Sequence, residues 1–288
     1  MTLKKILAIF SVLLVLGLSI YGYMIYKKIF SANTKFAEKE VFIYIPTDSD
    51  YAEVEKIVAP YIENMDNFKM VAEKKSYVTN VKAGKFLLKN NMNNNDIINS
   101  LRQPVETKLA FNNQERLEDF AGRIGSQIEA DSTSLMKAFT DKKFLEENGF
   151  TEENVLAMFI PNSYDFFWNT SAEKFRERMA KEYRKFWTAE RKAKAEVQKL
   201  TPIEVSILAS IVHKETVKTD ERPRVAGVYL NRLNKGIKLE ADPTVIYAVK
   251  KSENDFERVI KRVLYKDLET VSPYNTYRNF GLPPGKRN

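Results

Sequence analysis

The segment Thr201-Pro-Ile-Glu-Val-Ser-Ile-Leu-Ala-Ser-Ile-Val-His-Lys-Glu-Thr216 predicts a helix with a well-defined start. Thr201 is suited to cap the helix, a proline takes the first helical position, and a glutamate follows the cap by three residues. Isoleucines recur every four residues from Ile203 to Ile211, which predicts an apolar face packed on a core. Glu215 is the next member of this series, so the pattern places a carboxyl where packing favours an aliphatic residue.

Two interpretations of Glu215 follow from this placement. A carboxyl held against apolar surface is harder to ionise and is suited to donating a proton near neutral pH. Alternatively, the side chain rotates to solvent at the end of the helix and pairs with Lys218, three residues further on. The periodicity of the helix leaves both interpretations open.

The N-terminus predicts a membrane anchor. Residues 6–26 contain no charged side chain and are long enough for one membrane-spanning helix. Lysines flank this run on both sides, and three tyrosines gather at its distal end, as interfacial aromatic residues do. A cleaved signal peptide is the alternative, but no small-residue cleavage site stands near the end of the run. Because lysines lie on both sides, the charge pattern does not fix the orientation.

The composition excludes several kinds of site and partner. The chain has no cysteine and a single histidine, His213, which excludes thiolate chemistry and metal sites that need two imidazoles. The net charge of +8 comes from basic residues spread among acidic ones, without a nucleic-acid-binding motif. We therefore expect no nucleic-acid partner, since attraction to an anionic membrane or cell-wall polymer explains the same charge.

The remaining pattern predicts an α+β protein in which a small mixed unit precedes a larger, mainly helical region. Residues 29–39 form a polar linker, and residues 40–104 form a compact β-α-β-α unit. The predicted extended elements are runs at 41–46 and 108–111 and a pair over 78–88 that is broken at Ala83-Gly84. The predicted helices are capped helices after Asp50 and Asn93, helices near 114–128, 132–140 and 151–158, and one long basic helix at about 171–199.

Three polar and aromatic clusters follow the capped helix. They are Asn231-Arg232, the segment 241–247 with Asp242 and Thr244, and Ser272-Pro-Tyr-Asn-Thr-Tyr277. Aromatic rings, amides and hydroxyls packed between turn-forming residues suit a loop that binds a sugar. Structural turns are the alternative reading of the same residues.

The ordered motifs resemble the endolytic murein transglycosylase (YceG-like) family over essentially the whole chain. The resemblance implies an N-terminal anchor at 1–28, a LysM-like subdomain at 40–104 and a catalytic domain at 105–288. The matching segments are Val81-Lys-Ala-Gly-Lys-Phe86, Pro161-Asn-Ser-Tyr164, Leu208-Ala-Ser-Ile-Val-His-Lys-Glu215-Thr216, Asn231-Arg-Leu233, Asp242-Pro-Thr-Val-Ile-Tyr247, Ser272-Pro-Tyr-Asn-Thr-Tyr277 and Gly281-Leu-Pro-Pro-Gly285. Because family members continue beyond the last motif, we expect the final part of the catalytic domain to be missing here.

The resemblance implies a lytic transglycosylase whose single catalytic acid and base is Glu215. Such an enzyme cuts MurNAc–GlcNAc bonds and closes a 1,6-anhydro ring on MurNAc, without a metal or cofactor. The implied substrate-binding residues are Tyr274, Asn275, Thr276, Tyr277, Asp242 and Thr244.

The implied partners are peptidoglycan glycan strands, the cytoplasmic membrane and the cell-wall synthesis machinery. The chain is expected to cross the membrane once, with its catalytic part outside the cytoplasm, on the periplasmic side. A muramidase-type hydrolase and a non-catalytic, membrane-anchored peptidoglycan-binding protein are the alternatives. The first differs only in its product, and the second would bind the wall without cutting it.

Overall fold

A computed structural model describes residues 3–284, in which helices and short strands alternate along the chain. The residues form two compact units. The first contains the chain up to Phe111 together with Gly122–Asp131 and Asn162–Ser171. The second contains Asn112–Ala121, Ser132–Pro161 and the chain from Ala172 onward. The predicted mixture of helix and strand is confirmed, and each sheet has two strands.

The first helix, α1, spans Leu3–Phe30 and is longer than the apolar run from which it was predicted. The most apolar 18-residue window of Leu7–Phe30 has a mean hydropathy of 2.1, and none of that window is buried against the rest of the protein. Lys27 and Lys28 lie in the last turn. The length and composition of α1 therefore fit a membrane-spanning helix.

The first unit contains an antiparallel sheet of β1 (Glu40–Ile45) and β2 (Gly84–Lys89). Two helices, α2 (Tyr51–Val58) and α3 (Met65–Lys74), connect these strands, and α4 (Asn94–Ser100) follows. The side chains of Asp50, Asn64 and Asn93 accept hydrogen bonds from the first turns of α2, α3 and α4. The predicted order β-α-β-α is therefore wrong, because a second helix lies between the two strands.

The prediction of an extended run over residues 78–88 is also wrong in its first half. Ser76 has a positive φ of 54°, and the backbone N–H of Asn80 bonds to the carbonyl of Tyr77 at 2.9 Å, so this stretch turns. The strand begins only at Gly84, whose φ is 141°. A Cβ at Gly84 would lie 3.0 Å from the Cβ of Pro104, so glycine is required here.

The second sheet pairs β3 (Glu106–Phe111) with β4 (Asn162–Phe167) in antiparallel register. The sequence predicted part of β3, whereas the segment that becomes β4 was interpreted as a break because Pro161 precedes it. Every second residue of β4 faces the core, since Tyr164 and Phe166 are buried. The rings of Phe111 and Tyr164 stack at 5.7 Å.

The predicted long basic helix is two helices, α8 (Ala172–Phe186) and α9 (Ala189–Val197). Thr188 separates them, because its side chain accepts the backbone N–H of Arg191 and caps α9. Phe175, Met179 and Trp187 from the predicted apolar stripe are buried, as expected for core packing, but Phe186 is exposed.

Of the other helices of residues 3–284, three lie between β3 and β4 in the sequence, and four follow α9. The segment predicted as a helix at 151–158 forms only a 3₁₀ turn, Val155–Met158, and the helix over Lys142–Asn148 was not predicted. The remaining helices are α5 Leu117–Gly125, α6 Ser132–Phe139, α7 Lys142–Asn148, α10 Pro202–Glu215, α11 Arg222–Asn234, α12 Asp242–Glu253 and α13 Tyr265–Leu268.

Candidate active site

Helix α10 begins as the sequence predicts. The hydroxyl of Thr201 accepts the backbone N–H of Glu204 at 3.2 Å, and the carboxylate of Glu204 accepts the backbone N–H of Thr201 at 2.8 Å. These two reciprocal bonds form a capping box and satisfy N–H groups at the helix start. The start of α10 is therefore fixed locally, and its other end carries the candidate catalytic residue.

The buried face of α10 packs into a small apolar cluster of the second unit. Leu208, Ile211 and Val212 of α10 are buried, while Glu215 is the last residue of the helix. The other buried members of the cluster are Tyr229, Leu239, Ala241 and Leu282. Leu282 comes from the predicted Gly281-Leu-Pro-Pro motif, whose final Gly285 lies outside the described residues.

Glu215 is exposed, so the first of the two interpretations, a carboxyl held against apolar surface, is wrong. The helix ends at this residue and the chain becomes extended at Thr216, with φ −142° and ψ 135°. The expected pairing with Lys218 is not formed either, because the Lys218 amine lies 3.1 Å from the carboxylate of Glu221. Glu215 instead accepts a hydrogen bond from the Tyr229 hydroxyl at 3.1 Å on its Oε2 atom.

Tyr229 on α11 brings a buried hydroxyl to this carboxylate. Its side chain is only 6% exposed. Burial, and then the charge and hydrogen bond of Glu215, raise the pKa of Tyr229 above its ordinary value. The hydroxyl therefore stays protonated and remains a donor to Glu215 at neutral pH.

A second tyrosine and a second carboxylate lie next to this pair. The Tyr277 hydroxyl donates to the Oδ1 atom of Asp242, at the start of α12, over 2.7 Å. Burial, and then the hydrogen bond to Asp242, raise the pKa of Tyr277 to about 12. The negative charges of Glu240 and Glu215 add to this rise, so both carboxylates lie within electrostatic range of Tyr277.

Arg232 on α11 holds the segment that leads into α12. Its guanidinium donates to the carbonyls of Lys238 and Leu239 at 3.1 and 2.9 Å, and to the carboxylate of Glu240 at 2.8 Å. Glu240 itself has a left-handed backbone, with φ 51°. The Asn231-Arg232 motif thus shapes the approach to Asp242.

Thr244 and Thr276 lock the 272–277 loop to the start of α12. Their hydroxyls are 2.7 Å apart, and Thr276 Oγ1 also accepts the backbone N–H of Ala241 at 3.0 Å. Thr276 is 1% exposed and Asn275 is fully buried. The Asn275 amide donates to the carbonyls of Leu268 and Thr270, each at 2.9 Å. These polar side chains therefore bond within the protein and fix the shape of the loop.

Tyr274 points to a different depression of the second unit. Its hydroxyl accepts a hydrogen bond from the Lys251 amine at 3.2 Å, and its ring centroid is 4.8 Å from that of Tyr247. The depression has a volume of about 480 Å³ and is also lined by Glu153 and Ser272. Tyr274 and Tyr277 thus serve different parts of the surface, although only two residues separate them.

The structure therefore pairs Tyr277 with Asp242 within electrostatic range of Glu215. Asn275, Thr244 and Thr276 fix the loop that carries Tyr277. Sequence reasoning missed Tyr229. Its phenol is the single polar group in the apolar run 225–230, and this was the available signal. Among residues 3–284, no group of three or more His, Asp or Glu side chains is arranged to hold a metal ion.

The fold and the site define a mixed helix-and-strand protein with an N-terminal apolar helix and an exposed carboxylate held by a buried tyrosine. The chain belongs to the YceG-like family, whose sequence profile matches residues 43–286.

An endolytic murein transglycosylase of Bacillus subtilis is 42% identical over 94 residues, which cover 33% of this chain and 24% of that protein. One from Streptococcus pneumoniae is 26% identical over 88% of this chain and 50% of its own length. The chain therefore spans at most about half the length of these relatives. The crystal structure of a YceG-like protein from Listeria monocytogenes is 27% identical and superposes with a TM-score of 0.55, covering 86% of each chain.

Proposed function

We propose that this chain is an endolytic lytic transglycosylase of peptidoglycan and that Glu215 is its catalytic acid and base. The observation that carries the proposal is the exposed Glu215 carboxylate held by the buried Tyr229 hydroxyl at 3.1 Å, in a chain of the YceG-like family. The two curated relatives described above are both named endolytic murein transglycosylases, which supports the same reaction.

In the proposed reaction, protonated Glu215 gives its proton to the oxygen that links MurNAc C1 to the next GlcNAc. The C1–O bond breaks, and the GlcNAc leaves with a free hydroxyl. The resulting Glu215 carboxylate then removes the proton from the C6 hydroxyl of the same MurNAc, and that oxygen bonds to C1. Atoms balance without water, because the internal hydroxyl replaces the second carboxylate of ordinary glycosidases.

The exposure of Glu215 is compatible with this role, since a polymeric substrate covers the carboxyl when it binds and removes water from it. The Tyr229 hydroxyl occupies Oε2, which leaves Oε1 to exchange the proton. We propose Tyr229 as a positioning residue that fixes the carboxyl plane against the glycosidic bond.

The proposed sugar-binding residues divide into two groups. Tyr277 and Asp242, joined by their hydrogen bond of 2.7 Å, would contact the sugars next to the cleaved bond. Tyr274 would contact a more distant part of the substrate. Asn275, Thr244 and Thr276 would act indirectly, by holding the loop that carries both tyrosines, because their polar groups bond to the protein itself.

We further propose that α1 crosses the cytoplasmic membrane once and leaves the catalytic part outside the cytoplasm. The domain assignment remains a proposal as well: anchor 1–28, linker 29–39, LysM-like subdomain 40–104 and catalytic domain 105–288. The pair of antiparallel strands β1 and β2, with helices between them, supports a separate small subdomain. Cell-wall synthesis enzymes are the proposed protein partners.

The test is digestion of purified sacculi by the detergent-solubilised chain, followed by mass analysis of the released sugars. The B. subtilis relative serves as the positive control, and Glu215→Gln serves as the matched variant of equal size. We expect 1,6-anhydroMurNAc ends from the unmodified chain and none from the variant.

Three outcomes would contradict the proposal in different ways. Reducing MurNAc ends without anhydro product would indicate a hydrolase. Full activity in Glu215→Gln would exclude Glu215 as the acid. Binding to sacculi without cleavage would indicate a wall-binding protein.

A further inference from the structure

A depression at the C-terminal end of α12 presents one cation and one anion to solvent. It belongs to the second unit, has a volume of about 480 Å³ and is lined by the exposed side chains of Lys251 and Glu153. Within residues 3–284, neither charge forms an ion pair with another side chain. The stability of the fold does not account for the two charges, because exposed, unpaired groups contribute little to it.

Two aromatic rings hold Lys251 in place. Its amine donates a hydrogen bond to the Tyr274 hydroxyl at 3.2 Å and lies 4.6 Å from the centre of that ring. The Tyr247 ring supports Tyr274, with 4.8 Å between their centres. An ammonium has three N–H donors and the bond to Tyr274 uses one, so the others can reach a ligand.

Glu153 supplies an anion on the same surface. Hydrogen bonds from its own backbone N–H and from the Thr151 hydroxyl, and then the charge of Lys251, hold the pKa of Glu153 below its ordinary value. The carboxylate is therefore ionised at neutral pH, and its remaining lone pairs can accept from an amine. Val271, which is 84% exposed, also lines the depression. The depression thus combines a cation, an anion and an apolar side chain.

We propose that this depression binds the peptide stem that hangs from MurNAc beside the cut bond. It is defined by Lys251, Glu153, Tyr274 and Val271 and is called the stem site below. Lys251 binds a carboxylate of the stem, Glu153 binds the amine of its diamino residue, and Val271 contacts its alanine methyl groups. The inference rests on the proposed function, because the stem is part of the polymer that the candidate active site would cut.

The spacing along α12 fits a stem that starts at the candidate active site. Tyr277 contacts Asp242, the first residue of α12, within electrostatic range of Glu215. Tyr274 contacts Lys251, which lies nine residues further along the same helix, or about 13 Å at 1.5 Å per residue. An extended peptide covers this distance in about four residues. A stem attached to a sugar at Asp242 therefore reaches the stem site with its distal residues.

The charges distinguish the stem from other occupants. An uncharged sugar would leave both Lys251 and Glu153 without a partner, and a simple anion would be repelled by Glu153. A stem that is not cross-linked carries carboxylates and a free amine, so it complements both charges. Cross-linking at that amine turns it into an uncharged amide, which removes the partner of Glu153.

The test compares soluble strands that differ only in the stem. Strands from endopeptidase-treated sacculi carry free stems, and part of them is acetylated to block the amines. Strands from amidase-treated sacculi carry no stem. The full chain in lipid nanodiscs carries Glu215→Gln so that no strand is cut, and calorimetric titration gives each Kd. Glycan contacts elsewhere in the chain are common to the three ligands and cancel in the ratio of the Kd values.

We expect strands with free stems to bind tightest and stem-free strands to bind weakest. Lys251→Gln should raise the Kd for free stems about three- to fivefold, as the loss of an exposed ion pair does, and leave the Kd for stem-free strands unchanged. Lys251→Arg, which keeps the charge, should retain binding. Glu153→Gln should weaken binding of free stems but not of acetylated stems. Lys192→Gln on α9 and Glu152→Gln are the matched controls, since each removes an exposed charge outside the depression.

Three results would overturn the inference: equal Kd values for free-stem and stem-free strands, an equal loss of both ligands in Lys251→Gln, or an equal effect of Lys192→Gln, which would indicate attraction by overall charge. Circular dichroism checks that each variant is folded, and the comparison of the three ligands needs no substitution in the stem site. Because binding is measured without cleavage, failure of the transglycosylase reaction leaves this result unaffected. Release of anhydro ends from free-stem and stem-free strands at equal rates by the unmodified chain would keep the proposed function and reject the stem site.

Discussion

Replacing Tyr229 with phenylalanine removes a single oxygen from the candidate site. The lost hydroxyl is the donor to Glu215 Oε2 at 3.1 Å, while the ring keeps its place in the apolar cluster with Leu208 and Leu239. Since Glu215 is exposed, water can replace the lost donor, so the fold should lose little stability. The variant therefore separates the orientation of the carboxyl from the integrity of the protein.

The expected magnitude follows from the chemistry of this bond. A hydrogen bond to a charged group contributes about 1.5–3 kcal/mol, and about 1.4 kcal/mol corresponds to a tenfold change in rate. If the bond positions the carboxyl in the transition state, Tyr229→Phe should lower kcat roughly ten- to a hundredfold. KM should change little, because Tyr229 is buried and offers only 6% of its surface to a sugar.

The assay measures the initial rate of anhydro-end release from sacculi for the unmodified chain, Tyr229→Phe and Glu215→Gln. Tyr183→Phe is the matched control, since it also removes one tyrosine hydroxyl. Tyr183 is a half-buried residue of α8 whose ring packs edge-on against Phe150. An unchanged kcat in Tyr229→Phe would refute the positioning role. A loss confined to KM would refute it as well and would assign Tyr229 to substrate binding.

Three further predictions concern stability and titration. Thr276→Val leaves the Ala241 N–H without its buried acceptor and removes one partner of the Thr244 hydroxyl, which keeps its bond to the Ala241 carbonyl. The substitution should lower the free energy of unfolding by about 1–3 kcal/mol in urea denaturation. Tyr77→Phe should instead be neutral or stabilising by about 1 kcal/mol, because this buried hydroxyl has no hydrogen-bond partner in the described chain; a lower melting temperature would contradict this. The pKa of Tyr277 is raised from 10.0 to about 12, so its contribution to stability is complete below pH 10 and is lost as the pH rises through about 12. Tyrosinate absorbance should therefore lose one tyrosine from its late-titrating part in Tyr277→Phe, while Tyr183 and Tyr247, whose pKa burial also raises to about 12, still contribute to it.

The sequence determined those features that depend on local geometry. The capping box of Thr201 and Glu204 formed as predicted, because all its atoms lie within one helical turn. The helix over the apolar run of α1 and the cap at Asn93 were also predicted correctly, because each depends on residues that are neighbours in the sequence. The ordered motifs also identified the family, since they preserve residue types at fixed spacing.

Predictions failed where two local preferences competed or where a long-range contact decided the structure. The basic stretch at 171–199 has helical periodicity throughout, but Thr188 ends one helix and caps the next. Pro161 was interpreted as a break, whereas it precedes β4. The partner strand β3 lies far back in the sequence, since Asn162 pairs with Phe111, 51 residues earlier. Such pairing depends on long-range contacts, which periodicity does not report.

For the candidate site, the sequence singled out Glu215 but left open whether its carboxyl faces the apolar cluster or solvent. The isoleucine series extends to Glu215, yet the helix ends there, so the carboxyl lies at the rim of the cluster and is exposed. Only the packing of α10 against α11 brings Tyr229 to this carboxylate from 14 residues away. Likewise, the hydrogen bond between Thr244 and Thr276 holds the 272–277 loop against the start of α12. This packing brings Tyr277 to Asp242, 35 residues earlier in the sequence. The sequence thus determined which carboxyl stands at the end of the helix. The tertiary structure decided which hydroxyl holds it, because hydrogen-bond partners from separate elements depend on how those elements pack.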